Sequence, residues 1–193
     1  MSESSFELLA RAVGCLLVVC AASAQAQPGP QATAAPSAAL EIARCADVAF
    51  IKKAALGAIG EVELGRLAAQ RASDADVRRF GQKMVDEHGK ANNELKQLAS
   101  SKGIELPATL DEAHRAETDR LSKLSGTDFD HAYVRAMVQD HDEDVAEFQK
   151  QLKSAHDVEL QAWVSKMLPT LTEHQEMIHM IARDLPAPPK KSS

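Results

Sequence analysis

Four segments of this chain place an apolar residue at every third or fourth position, a period that fits little except amphipathic helix. One reads Val77, Phe80, Met84, His88, Ala91, Leu95, Leu98. A second reads Val134, Met137, His141, Val145, Phe148, Leu152. A third reads Leu160, Val164, Met167, Leu171, His174, Ile178, Ile181, Leu185. The first segment in the chain is apolar around much of its circumference. One of its stripes is Phe50, Ala54, Gly57, Glu61, Leu64, Ala68. Composition agrees, since aromatics are only 4% of the chain and apolar residues 45%. Ala, Leu, Glu, Lys and Gln are common, which favours helix over sheet.

Punctuation between the stripes predicts five helices. The first covers about 47–72. Ser73-Asp74-Ala75-Asp76 offers an N-cap for the second, which runs to about Lys102. Gly103 followed by Ile104 reads as a left-handed C-cap. Thr109 to Glu112 has the spacing of a capping box, opening a short helix that Gly126 closes. Thr127 to Asp130 opens the fourth helix, to about Ala155, and Asp157 caps the fifth, to about Leu185. Very short turns join the first helix to the second and the fourth to the fifth, so each pair is an antiparallel hairpin. Some two dozen residues with the short helix join the hairpins. The expectation is all-α: a ferritin-like four-helix bundle of two antiparallel hairpins with a short crossover helix.

The ends read differently. Arg11 precedes AVGCLLVVCAASAQA, a short apolar run ending in an A-x-A site at Ala24-Gln25-Ala26. This predicts a signal peptide over 1–26, although Glu3 and Glu7 make a poor amino-terminal region, and a periplasmic or secreted protein after cleavage near Ala26. The run is too short to span a bilayer, so no transmembrane segment is expected in the mature chain. Residues 27–45 read as a Pro-, Ala- and Gln-rich linker, 46–185 as the bundle, and 186–193 as a disordered tail. The chain's net charge of −6 argues against nucleic acid as a partner. Cys15 and Cys20 leave with the signal, so Cys45 remains alone and cannot form an internal disulfide.

Two pentads carry the chemistry. MVDEH ends at His88 and MVQDH at His141, and each sets an imidazole on an apolar stripe. His174 does the same on the fifth helix, and Glu61 is the single carboxylate of its stripe. Glu61, His88, His141 and His174 all lie within about one turn of their helix midpoints. Four inward polar groups, one per long helix, are therefore expected in one layer. An isolated polar group there costs roughly 2–7 kcal/mol unless it finds a partner. Three imidazoles and a carboxylate are a sensible metal set, with zinc or copper the ions that suit it. The plainer reading is a hydrogen-bonded network that fixes helix register. Met84, Met137 and Met177 lie one turn from these histidines. Thioethers suit Cu(I), but methionine is also ordinary core filler.

Other features carry less. His179 shares a polar face with Thr172, Glu176 and Arg183, His131 lies near a helix start and His156 in a turn, and His114 reads as a bundle-edge residue. Val85 and Val138 stand three residues before His88 and His141. The Glu-x-x-His pattern of di-iron bundles is therefore missing at these two histidines. Pro169 lies five residues before His174 and predicts a kink or a fresh helix start. No nucleophile–base pair or phosphate loop is readable, so an enzyme ranks below a binding or structural module.

The stretches FIKKAALGAIGEVELGRLAAQRA, VRRFGQKMVDEHGKANNELKQLA, FDHAYVRAMVQDH and LPTLTEHQEM resemble the bacterial envelope proteins grouped as domain of unknown function 4142. The resemblance spans about Ala46 to Leu185. It implies an exported ferritin-like bundle, with Glu61, His88, His141 and His174 at the matching polar positions, and implies no activity. Together these readings point to metal or small-ligand binding in envelope stress or metal handling.

Overall fold

The computed structural model describes residues 38–187. The expected signal peptide and nearly all of the expected tail lie outside the described residues. Five helices appear in order: α1 Ala38–Arg71, α2 Ala75–Ser101, α3 Glu112–Ser122, α4 Gly126–Ser154 and α5 Val158–Asp184. There is no strand among the described residues. α1 packs along α2 and α4 along α5. The hairpins meet through α2 with α5 and α1 with α4, while α3 rests on α1 and α4.

Local chemistry explains most boundaries. Asp74 caps α2 by accepting the backbone N–H groups of Asp76 and Val77. Asp157 caps α5 in the same way for Glu159 and Leu160. α2 ends in a Schellman motif. Gly103 takes φ +66°, its N–H donates to Ser100 O, and Ile104 N–H donates to Ala99 O.

Four boundaries differ from the sequence reading. α1 begins at Ala38, inside the stretch read as linker, because Ala38-Ala39-Leu40-Glu41-Ile42-Ala43-Arg44 consists of helix formers and Ile42 (71% exposed) needs no core to sit in a helix. α3 begins at Glu112 because Asp111, and not Thr109, accepts the His114 N–H at 2.9 Å. Gly126 opens α4 at φ +58° instead of closing α3, which ends at Ser122. Pro169 neither ends α5 nor starts a new segment, since the helix runs through it.

Each hairpin turn is held by a buried aspartate from the other hairpin. Asp130 of α4, 1% exposed, accepts the backbone N–H of Ser73 and of Asp74, both at 3.0 Å, and the Ser73 hydroxyl. Asp47 of α1 accepts the N–H of His156 and of Asp157, both at 3.0 Å, and the Gln151 amide at 2.7 Å. These carboxylates satisfy donors that the turns would otherwise leave unpaired.

The core divides into two apolar clusters. One gathers Leu64, Phe80, Met84, Phe129, Tyr133, Met137 and Ile178. The other gathers Phe50, Ile51, Leu95, Phe148, Leu160, Val164 and Leu171. Between the two clusters every long helix sets a buried polar residue: Glu61, His88, His141 and His174.

Candidate metal centre

All four residues of the expected layer are buried: Glu61 and His88 at 2% and 4% exposure, His141 and His174 at none. Ring nitrogens from His88, His141 and His174, one from each, lie within 4.8 Å of one another. Glu61 falls outside that trio and braces it, with Oε2 at 2.6 Å from His88 Nδ1 and Oε1 at 3.5 Å from His141 Nε2. The second distance is an electrostatic contact too long for a good hydrogen bond, and both Glu61 Oε1 and His141 Nε2 lack a hydrogen-bond partner.

The far side of each ring is anchored. His141 Nδ1–H donates to Met137 O at 2.9 Å. His174 Nε2–H donates to Glu87 Oε2 at 2.7 Å. Glu87 in turn accepts from Lys83 at 2.7 Å. His88 Nε2 and His174 Nδ1 then face each other at 3.2 Å. Anchoring the outer nitrogen in this way fixes the tautomer and aims the inner one.

Of the two proton placements open to this chain, one satisfies every link. With Glu61 neutral, its O–H donates to His88 Nδ1, His88 Nε2–H donates to His174 Nδ1, and His174 passes its proton bond to Glu87. Take that one proton away, and His88 Nδ1–H donates to an ionised Glu61. The lone pairs of His88 Nε2 and His174 Nδ1 now oppose each other beside the orphaned His141 Nε2. Three converging lone pairs repel unless a cation lies among them.

Burial sets the electrostatics of the site. It lowers His88 and His174 to about 4 and His141 to about 3, so all three rings are neutral at pH 7. Burial, with Asp140 nearby, pushes Glu61 well above the usual carboxylate range. Burial also raises Asp144 well above its ordinary value and raises Asp140. Glu87 stays low: burial pulls it upward, but hydrogen bonds from Lys83 and His174 outweigh that.

Sequence reasoning missed Glu87, Asp140 and Asp144. The first two left a signal, since each pentad has an acid directly before its histidine. A residue one position from a buried stripe lies about 100° round the helix, at the seam with a neighbour. Asp144 lines a cavity of about 20 Å³ with Glu61, His88 and Trp163, room for about one water. Met84 and Met137 are buried in the apolar cluster and serve as packing. His179 is exposed and bonded to Asp142, as its polar face implied. His114 lies at the bundle edge, where its ring presses on Gly60: a Cβ there would meet His114 Cδ2 at 2.5 Å.

Comparison with known proteins supports the fold. The chain matches the family described as "Domain of unknown function (DUF4142)" over residues 29–181. Among solved structures it is similar to the crystal structure of a DUF305 fragment from Deinococcus radiodurans, with a TM-score of 0.64 and 15% identity. That match covers 72% of this chain and 96% of the other. No curated protein matches it significantly.

Proposed function

The chain belongs to the DUF4142 family, and from that premise we propose that it is an exported helical-bundle protein that binds one transition-metal ion, zinc or copper, in envelope stress or metal handling. His88, His141 and His174 are the ligands of this reading, and Glu61 balances charge beside them. The observation that carries it is the convergence of three buried, neutral imidazoles whose outer nitrogens are anchored. Packing alone does not call for such an arrangement. Metal uptake exchanges the cation for the Glu61 proton, as coordination normally releases protons. Three histidines leave one position of a tetrahedral ion open, for Glu61 or for a small exogenous ligand.

A second reading has its own support. With Glu61 neutral the chain from Glu61 to Glu87 is fully hydrogen-bonded, as a device that only fixes register would be. Calorimetric titration with Zn(II) and Cu(I), on untagged wild type and on His141→Ala, separates the two. The metal reading expects saturable one-to-one binding that the variant loses. It also expects metal to raise the melting temperature of wild type only, because a ligand of the folded state stabilises by mass action. Wild type that binds neither ion retires it. Export rests on the apolar run and the Ala24-Gln25-Ala26 site. Amino-terminal sequencing of protein from the native envelope should begin at or near Gln27, and intact Met1 in the cytoplasm would refute export.

A further inference from the structure

A groove of about 460 Å³ runs between the start of α2 and the end of α5. Met177 and Met180 line its α5 wall. They are three residues apart, so both thioethers lie on one face. Core packing accounts for Met84 and Met137 but not for Met180, which is 48% exposed. Phe80 forms the inner wall, and its ring packs edge-on against His141 and His174, with centroids 5.7 and 6.4 Å away. One aromatic ring therefore stands between the groove and two of the three histidines. Lys83 lines the groove too and bonds Glu87, the carboxylate that holds His174. Asp74, Asp76 and Asp184 also line it against Arg79 and Lys83. Arg79 is already paired with Asp76, and Lys83 with Glu87 and Glu173 outside the groove, so the carboxylates of Asp74 and Asp184 make the groove favour a cation.

We propose that this groove is the loading site of the histidine centre and that its cargo is a soft monovalent cation, Cu(I). The thioethers of Met177 and Met180 hold the ion first. It then moves behind Phe80 to His174 and His141. Thioether and imidazole both suit Cu(I), while zinc gains little from thioether. The step is a ligand exchange: sulfur donors leave as nitrogen donors bind, and the ion keeps its oxidation state. The proposal rests on the metal reading above and adds the ion and its route.

The test is the rate of uptake. Cu(I) is delivered anaerobically from a chromophoric chelator to the untagged mature chain, and Zn(II) is delivered in parallel. Met177→Leu/Met180→Leu keeps the apolar volume and removes both sulfurs. It should slow Cu(I) uptake by about tenfold, a small change in barrier, with unchanged equilibrium affinity and an unchanged Zn(II) rate. The single variant Met180→Leu, at an exposed position, should show part of the same slowing and guards against misfolding of the double variant. An unchanged Cu(I) rate overturns the proposal. Equal slowing of both ions overturns the assignment of a soft cargo. Wild type that binds Zn(II) but not Cu(I) overturns it while leaving the histidine centre intact, and wild type that binds neither overturns both.

Discussion

His141 has no side-chain hydrogen bond, only the Met137 carbonyl behind it, so its proton chemistry is the simplest of the three histidines. The fold keeps it neutral down to about pH 3, whereas an unfolded histidine takes a proton near pH 6.5. Between those values the unfolded chain binds more protons than the folded one, so stability falls as pH falls. One such site contributes a slope of up to ~1.4 kcal/mol per pH unit. Glu61 works the other way: its raised pKa leaves the folded state with the extra proton above about pH 4.5, so stability there falls as pH rises. The comparison of wild type with His141→Gln removes the Glu61 contribution common to both. The variant should be the less stable at pH 7, and the gap should narrow as pH drops from about 6.5 towards 3. Urea unfolding at several pH values reads it, and a gap that does not move with pH would show that His141 is not held neutral. The histidines were legible in sequence because each sits on an apolar stripe. Asp144 was not, because a seam residue breaks no pattern on its own helix, and Glu87 left only the hint of an acid directly before His88.

At the scale of helices, the stripes and caps could be read because both are local, and the contacts between hairpins could not. Ser73 and Asp130 are 57 residues apart, and nothing near either one announces the other. Asp130→Ala should remove three partly buried hydrogen bonds and cost about 3 kcal/mol, at roughly 1 kcal/mol each. Thermal melts of the variant measure the loss, and a melt matching wild type would mean that water replaces the carboxylate. α1 and α2 also cross closely. A Cβ on Gly65 would meet Gly81 O at 2.6 Å, and one on Gly81 would meet Gly65 O at 2.7 Å. Backbone cannot give way as a flexible side chain can. Gly81→Ala should therefore cost about 1–3 kcal/mol by overpacking, despite the better helix propensity of alanine. Chemical denaturation checks the sign, and a stabilised variant would show that the crossing can relax. Sequence offered two glycines inside helices, a hint of close approach without its partner.

The whole molecule carries an internal repeat that separates scaffold from site. Asp47 and Asp130, the two turn clamps, are 130 − 47 = 83 residues apart, and the caps Asp74 and Asp157 are 157 − 74 = 83 apart. The same offset pairs Phe50 with Tyr133, Glu61 with Asp144, Phe80 with Trp163 and Met84 with Met167. The histidines break it. His88 pairs with Leu171, His174 with Ala91 and His141 with Ala58, all buried. One hairpin thus fills with plain apolar side chains the places that the other gives to imidazole, so packing does not require a histidine there. This predicts that the layer can be emptied of function without loss of the fold. His88→Leu/His174→Ala copies onto each hairpin the residue its counterpart already uses. It should bind no Zn(II) or Cu(I). Its loss of stability should stay near 1–3 kcal/mol, the cost of leaving Glu61 short of one buried partner. Unfolding should remain a single cooperative transition, with Trp163 fluorescence on α5 and helical circular dichroism falling together, because the crossed clamps Asp47 and Asp130 still tie the hairpins. Separate midpoints for the two signals, or a molten variant, would show instead that the histidine layer is part of what holds the hairpins together.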